Sequence, residues 1–320
     1  MSTSTWRLTT NDGAQLYVEE GSGGAQGRLP VLLVNGVTMS TDSWNLLGRL
    51  LQPQRTVLRY DMRGQGASDA PVGPYRRERH ARDLLALLAD LDQRGLAPLH
   101  VVALSNGGYV SQLLLAWLQQ PELALEENLT GHELEQLGRL RGSVASLTLL
   151  DTFAAADARL QAAVRAWLGA LATGGAAARF DAATPWVWGP EFLAANAKAL
   201  SEARDLAADH PQESVRWLLE GLLASAAAEP DLQAALTALE LPLLVAVGED
   251  DVLTPVRNHR EVLQQFGRDP AEVQLIARAG HAAPIENAEG VAALIRPFFD
   301  RAEAARNAGD GRSEGGVTAM

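Results

Sequence analysis

The stretch LHVVALSNGGYVSQLLL, residues 99–115, decides the fold of this chain. Its first part is a short, largely apolar run of the kind that forms a buried strand, and a helical pattern begins at Asn106. Ser105 lies at the junction and is followed closely by Gly107 and Gly108. This layout is typical of a nucleophile elbow, a sharp turn from strand to helix that exposes a serine hydroxyl above the edge of a sheet.

The match to the elbow motif Gly-x-Ser-x-Gly has one departure, because Ala103 stands in place of the first glycine. Small residues are favoured there since the turn is strained and flanking side chains would collide with neighbouring backbone. Ser105 is therefore a candidate nucleophile. A serine hydroxyl reacts poorly unless a base activates it and an acid orients that base, so both must lie elsewhere in the chain.

Composition limits the class of protein. The chain has 320 residues, of which 47% are hydrophobic, and this is ample for a sizeable core. The net charge of -12 argues against a nucleic-acid partner, because phosphate binding needs clustered lysine and arginine. There is no cysteine, which excludes disulfides and thiolate metal sites. We expect no metal and no cofactor, since the sequence lacks both a metal-ligand spacing and a phosphate-binding loop.

The sequence also bears on location. Its N-terminus is polar and lacks a charged region followed by an apolar one, so we expect no signal peptide. No run of about 18 apolar residues occurs, so we expect no membrane span. These observations predict a cytoplasmic protein, which we expect to be a monomer or a homodimer.

Strands and helices alternate along most of the chain. Strand-like segments lie at residues 6–10, 15–19, 30–34, 56–60, 100–104, 144–150, 243–247 and 273–277. Asp12-Gly13, between the first two segments, predicts a hairpin. The alternation predicts an α/β fold with a mostly parallel eight-stranded sheet and helices on both faces.

The alternation stops between residues 154 and 240, where the sequence is rich in Ala, Leu and Trp and helical in pattern. We interpret 154–240 as a helical cap inserted after strand 6 of a core made of residues 1–153 and 241–307. Residues 308–320 are polar and glycine-rich, and we predict a disordered tail there.

Candidates for the base and the acid follow later strands. The carboxyl ends of parallel strands share one edge of a sheet, so the loops after them should lie near Ser105. His281 follows the last strand and is the candidate base. Asp250 and Asp251 follow the strand before it, and either is a candidate acid. Asp151, after the sixth strand, is a further candidate for the acid.

The order of these motifs resembles that of the α/β-hydrolases over about residues 5–305. Each motif follows a strand: Asn35-Gly36, the segment 61–69, the Ser105 elbow, the segment 248–255 and Gly280-His281. A serine at the elbow places the resemblance in the serine-nucleophile branch, since haloalkane dehalogenases use an aspartate there. Segment 185–193, flanked by prolines, is similar to the lid of small esterases and 3-oxoadipate enol-lactonases.

The resemblance implies a role for each catalytic candidate. Ser105 would be the nucleophile and His281 the base, and the family's common G-E-x-D spacing selects Asp251 as the acid. The oxyanion hole needs two backbone N–H donors, which we expect from Asn106, directly after the nucleophile, and from Val37.

Four residues are candidates for substrate binding. Asn35 and Gly36 stand where the family usually has His-Gly, and we expect them to shape the acyl site. Trp186 and Trp188 are candidates for lining an apolar acyl or alcohol pocket. The alternative for both tryptophans is the apolar core of the cap itself.

The expected activity is hydrolysis of a carboxylic ester or lactone through an acyl-enzyme, with a small-molecule ester or acyl compound as substrate. One alternative is an acyltransferase with the same triad, in which an alcohol or a thiol replaces water. The other is a non-catalytic ligand-binding or regulatory protein on this fold.

Overall fold

The computed structural model describes residues 3–23, 27–208, 211–224 and 230–313. Within these ranges one eight-stranded sheet is present, made of β1 (Thr3–Thr9), β2 (Gln15–Gly21), β3 (Val31–Val34), β4 (Val57–Tyr60), β5 (Leu99–Leu104), β6 (Val144–Leu150), β7 (Leu243–Gly248) and β8 (Gln274–Ile276). Its strand order is β1-β2-β4-β3-β5-β6-β7-β8. The β1–β2 and β2–β4 pairs are antiparallel and the other pairs are parallel, so the predicted fold class is confirmed.

Helices separate most of the strands, as the alternation predicted. They are α1 (Asn45–Leu51), α2 (Arg77–Gln93), α3 (Asn106–Gln119), α4 (Gly131–Arg139), α5 (Ala158–Val187), α6 (Pro190–Ala195), α7 (Ala197–Ala208), α8 (Gln212–Ala224), α9 (Pro230–Thr237), α10 (Val256–Gln265), α11 (Ala283–Glu286) and α12 (Ala288–Ser313). Helix α5 is kinked at Gly175, where φ is +73°. No helix within the described ranges is both long and apolar enough to cross a membrane.

Strand β3 shows why helices cover both faces of the sheet. Leu32 and Val34 join a buried apolar cluster with α2 and α3, whereas Val31 and Leu33 join a second cluster with α1 and α12. Successive side chains of a strand point to opposite faces, so a continuous apolar run requires two covered faces. All four side chains are fully buried. The core therefore consists of two apolar layers, one on each side of the sheet.

The helices that follow β6 pack near the ends of the strands. Leu160 and Trp167 of α5 and Leu219 of α8 share an apolar cluster with Phe153 and Leu253, which follow β6 and β7. Helix α9 behaves differently, because its buried residues belong to the same core cluster as those of α3. The division into a core and a cap at residues 154–240 stays a prediction. Helix α9 lies within that range but packs against the core on the α3 side of the sheet.

The C-terminal helix bears on the predicted tail. Helix α12 continues to Ser313, so residues 308–313 are helical, where the sequence pattern predicted a disordered tail from 308 onward. Residues 314–320 lie outside the described residues.

Charged groups tie down the loop after β4, residues 61–69. The Asp61 carboxylate accepts two backbone N–H bonds at 2.7 and 2.8 Å. Arg63 donates to both carboxylate oxygens of Asp83, at 2.5 and 2.7 Å, and also to Asp12 at 3.0 Å. Arg63 and Asp83 are buried, 2% and 1% exposed, and a buried carboxylate that loses its cation is costly.

We predict that Arg63→Met lowers the free energy of unfolding by about 3 kcal/mol, because it leaves the buried Asp83 carboxylate short of its main cation. The loss should lie at the low end for a broken buried pair, since Arg79 still contacts Asp83 at 3.2 Å. Urea unfolding followed by circular dichroism measures it. Arg139→Met is the control, because Arg139 pairs with Asp92 at the surface and its loss should cost less than about 1 kcal/mol. Equal losses in the two variants would contradict the prediction.

Candidate active site

Ser105 occupies a strained turn between β5 and α3. Its backbone has φ +52° and ψ -121°, a conformation that non-glycine residues rarely adopt. The turn is held on both sides: the Ser105 N–H donates to the Leu150 carbonyl at 2.9 Å, and the Tyr109 N–H donates to the Ser105 carbonyl at 3.1 Å. Strain of this kind persists only where the surrounding structure enforces it, and it is concentrated at functional sites. The geometry is that of the predicted nucleophile elbow.

Gly107 allows α3 to begin close to the end of β3. A Cβ atom at this position would lie 2.4 Å from the carbonyl oxygen of Asn35, a distance that no side chain can adopt. The loop after β3 therefore passes directly beside the serine. A Cβ placed on Gly36 would lie 3.3 Å from the Cβ of Ser105.

The structure brings the three predicted catalytic residues together. His281 Nε2 lies 2.9 Å from Ser105 Oγ, and His281 Nδ1 lies 3.0 Å from Asp251 Oδ2. All three side chains are buried, at 6%, 7% and 4% exposed for Ser105, His281 and Asp251. Asp250, the neighbouring candidate, makes no hydrogen bond to His281 within the described part of the chain; its backbone N–H donates to Ala279.

Four hydrogen bonds support the Asp251 carboxylate. One oxygen accepts from the N–H groups of Leu253 and Thr254, both at 2.8 Å. The other accepts from the Thr254 hydroxyl at 2.7 Å and faces His281. Burial raises the pKa of Asp251, but the charge of His281 and the bonds from Thr254 outweigh burial and hold the pKa below its ordinary value. The geometry favours an ionised carboxylate beside the histidine.

Sequence reasoning missed Thr254. Its hydroxyl lies 3.1 Å from His281 Nδ1 and also donates to Asp251, so Thr254 contacts both residues of the Asp251–His281 pair. A signal was present, because an aspartate followed three residues later by threonine can fold into a local turn in which the carboxylate accepts backbone N–H bonds.

Asp151, the alternative acid, binds backbone N–H groups. It is fully buried, and its two oxygens accept the N–H groups of Gly248 at 2.9 Å and Ala283 at 3.1 Å. These bonds link the end of β6 to the end of β7 and to the loop that carries His281. Burial, followed by the nearby charge of Asp251, raises the pKa of Asp151 well above its ordinary value. Of the two carboxyls, Asp251 therefore holds the negative charge more readily.

Asn35 lies in a buried network rather than at a free surface. Its side-chain oxygen accepts from the indole N–H of Trp44 at 2.7 Å, and its amide donates to Gln65 at 3.0 Å. Gln65 in turn donates to the Gly36 carbonyl at 2.8 Å. Asn35 is 0% exposed, so its side chain holds the shape of the loop beside Ser105. The part of Asn35 and Gly36 in substrate binding stays a prediction.

The two predicted oxyanion donors lie on the segments that meet at Ser105. Asn106 is the first residue of α3, and the N–H groups of a helix's first turn have no partner within the helix. Val37 directly follows Gly36, the residue whose position lies against the Ser105 side chain. The assignment of these two N–H groups to an oxyanion hole stays a prediction.

The end of α5 is attached to the loop that carries His281. The His281 N–H donates to the Val187 carbonyl at 2.7 Å. The Glu286 carboxylate accepts from the Gly189 N–H at 2.7 Å and from the N–H groups of the two residues that flank His281, at 3.0 and 3.1 Å. Burial raises the pKa of Glu286, and these three N–H bonds oppose the rise. Glu286 was not identified from the sequence, because its partners lie in separate segments.

The two candidate tryptophans lie on this attached segment and are both half-buried. Trp186 packs against the apolar cluster that also contains Val37 and Leu253, next to the candidate site. Trp188 stacks on Phe192 of α6 at 4.9 Å between ring centroids. Trp186 therefore packs in the apolar cluster next to the candidate site. The backbone of Trp188 lies against the histidine loop, 3.0 Å from a Cβ placed on Gly280, while its ring faces α6.

We predict that Thr254→Val lowers the free energy of unfolding at pH 7 by about 1.5–3 kcal/mol, because it removes a buried hydrogen bond to a charged group. The pKa of Asp251 is lowered in the folded state, so this stability is present above the ordinary carboxyl pKa of about 4 and is lost as the pH falls further. Urea unfolding at neutral and acidic pH measures both effects. Thr237→Val is the control, since its exposed hydroxyl donates to a backbone carbonyl; an equal loss there would contradict the assignment.

Comparisons with known proteins identify the family of this chain. A sequence model of the alpha/beta hydrolase family matches residues 31–294. The non-heme chloroperoxidase of Streptomyces lividans is 32% identical over 106 residues, which are 33% of this chain and 37% of that protein. The 3-oxoadipate enol-lactonase 2 of Acinetobacter baylyi is 24% identical over 295 residues, 92% of this chain and 96% of that protein.

The fold is also shared with solved structures. A thermophilic esterase from Thermogutta terrifontis superposes with a TM-score of 0.73 at 24% identity, covering 94% of this chain and 99% of that chain. At this identity the likeness shows the fold. Because the family match spans most of the sequence, the chain belongs to the alpha/beta hydrolase family, as the order of its motifs predicted.

Proposed function

We propose that this protein hydrolyses a carboxylic ester or lactone through an acyl-enzyme intermediate on Ser105. The observation that carries the proposal is the continuous pair of contacts from Ser105 Oγ to His281 Nε2, at 2.9 Å, and from His281 Nδ1 to Asp251 Oδ2, at 3.0 Å. A nucleophile, a base and an orienting acid within hydrogen-bonding reach are the requirements for acyl transfer at a serine.

Acylation begins when His281 Nε2 accepts the proton of the Ser105 hydroxyl. The oxygen of Ser105 attacks the carbonyl carbon, and the carbonyl oxygen takes up negative charge. The backbone N–H groups of Val37 and Asn106 donate to that oxygen. Asp251 accepts a hydrogen bond from Nδ1, which keeps Nε2 free as the base and stabilises the imidazolium once it forms.

The second half of the reaction returns the enzyme to its starting state. The imidazolium of His281 gives its proton to the leaving alkoxide, and the C–O bond breaks to leave the acyl group on Ser105. Water then gives a proton to Nε2 and attacks the acyl carbon, and the acid departs as Ser105 regains its proton. With a lactone the leaving alcohol stays attached to the acyl group, so a single hydroxy acid is the product.

Two further observations support an ester or lactone substrate. The named activities of relatives include an enol-lactonase that aligns over 92% of this chain, and a structural neighbour is an esterase. Next to the candidate site, Trp186 packs with Val37 and Leu253 in one apolar cluster. We propose that Trp186 contributes to the apolar wall of an acyl or alcohol pocket, and Trp188 to the outer part of that wall.

We predict serine-dependent hydrolysis of p-nitrophenyl esters, tested from acetate to decanoate. Ser105→Ala should reduce kcat by more than about a thousandfold, because it removes the nucleophile. A fluorophosphonate probe should label Ser105, and peptide mass spectrometry would locate the label. An unmodified Ser105 would overturn the proposal. Ester formation with added alcohol and slow release to water would show that the acyl-enzyme serves transfer instead of hydrolysis.

We predict different effects from the two adjacent aspartates. Asp251→Asn should lower kcat by more than about a thousandfold, because the amide no longer favours the tautomer in which Nε2 accepts a proton. Asp250→Asn is the matched control and should retain kcat within about threefold, since the hydrogen bonds of the His281 ring within the described residues go to side chains other than that of Asp250. Steady-state kinetics on the best ester measures both. The acid assignment would fail if Asp250→Asn were the more damaging change.

A further inference from the structure

Arg179 is a buried cation in the helical region above the strand ends. It lies on α5 beyond the kink at Gly175, one helical turn from Ala176 and one from Ala183, both of which are buried. Arg179 therefore belongs to the inward face of the helix, and only 8% of its surface is exposed. Arginine is seldom buried to this extent unless an anion accompanies it.

No such anion accompanies Arg179 within the described residues. Its Nη1 donates to the Thr38 hydroxyl at 3.3 Å, which is a neutral and rather long contact. Its Nε is enclosed and has no hydrogen-bond partner. Arg63 is the contrasting case in this chain, because its buried guanidinium meets Asp83 with two short hydrogen bonds. The guanidinium of Arg179 keeps unused donors and an unbalanced charge.

The single contact of Arg179 places it beside the candidate active site. Thr38 directly follows Val37, the predicted oxyanion donor, and a Cβ on Gly36 would lie 3.3 Å from the Cβ of Ser105. Successive Cα atoms are about 3.8 Å apart, so the Cα atoms of Thr38 and of the glycine beside Ser105 are at most about 8 Å apart. Val37 also packs in the apolar cluster that contains Ala176 and Ala183, the neighbours of Arg179 on α5.

We propose that Arg179 binds a carboxylate that the substrate carries several bonds away from the ester or lactone carbonyl. The inference rests on the proposed function and adds a substrate class: half-esters or lactones with a free carboxyl group. A planar guanidinium fits a carboxylate with two parallel N–H bonds, and one cation matches one negative charge. Burial lowers the pKa of Arg179 to about 10, which leaves it charged at neutral pH.

The test compares esters that differ only in a remote carboxylate. For an acyl-side carboxylate the pair is mono-p-nitrophenyl glutarate and p-nitrophenyl valerate, and for an alcohol-side carboxylate it is p-(butyryloxy)benzoate and phenyl butyrate. Arg179→Met should lower kcat/KM by about tenfold to a hundredfold for one of the two anionic esters, mainly by raising KM. The neutral esters should change by less than about threefold. Arg179→Lys should retain part of the preference for the anionic ester, because lysine keeps the positive charge but cannot donate two parallel N–H bonds to a carboxylate.

Arg165→Met is the matched control, since Arg165 lies exposed on the same helix and donates to Gln161. It removes an equal charge and should leave all four esters unaffected. Equal losses on the anionic and neutral esters in Arg179→Met would assign Arg179 a purely structural role and overturn the proposal. So would a wild-type enzyme whose kcat/KM does not favour either anionic ester over its neutral partner.

A binding measurement separates this inference from the proposed function. Ser105→Ala lacks the nucleophile but keeps Arg179, so glutarate should raise its Tm, and the double variant with Arg179→Met should show no rise. A rise in Tm without ester hydrolysis by the wild type would sustain the carboxylate site and reject the proposed activity. Ester hydrolysis by the wild type without any effect of glutarate on the Tm of Ser105→Ala would sustain the proposed activity and reject the carboxylate site.

Discussion

The contact between Ser105 Oγ and His281 Nε2 joins residues 176 positions apart in the sequence, and the rest of the site depends on it. It forms because β5 and β8 run parallel in one sheet, so that the loops after both strands begin at the same edge. The serine reaches the histidine only from a strained turn with positive φ. The central strands of the sheet, which are buried on both faces, provide the rigidity that holds this strain.

Close approach of backbone at this edge requires glycine where loops cross. A Cβ on Gly107 would collide with the end of β3, and one on Gly280 would lie 2.5 Å from the backbone nitrogen of Gly189. The second crossing brings the end of α5 against the histidine loop, where Glu286 bonds to both segments. The region after β6 is thereby fastened to the loop that carries His281, so the positions of the two are coupled.

The buried charged groups differ in whether they have a partner of opposite charge or a set of hydrogen-bond donors. Asp251 receives several donors and is the more acidic of the Asp251 and Asp151 carboxyls, while Asp151 uses its oxygens to join backbone segments. Arg63 has a carboxylate partner in the core. Arg179 has none within the described residues, and it lies where the sheet edge and the helices after β6 meet. A buried charge that has a partner avoids the large cost of an isolated buried charge, and an unpaired one leaves capacity for a ligand.

The sequence by itself determined the fold class and the chain order of serine, acid and histidine. Apolar runs bounded by turns specify buried strands, and the glycines after Ser105 specify the elbow, because both signals are local. It left three aspartates open as the acid from the residues alone, and it gave no role to Thr254 or Glu286. Only the tertiary structure decided which carboxylate faces His281 and that Asn35 is enclosed. Those outcomes depend on loop conformations and on contacts between distant segments, which local patterns do not encode.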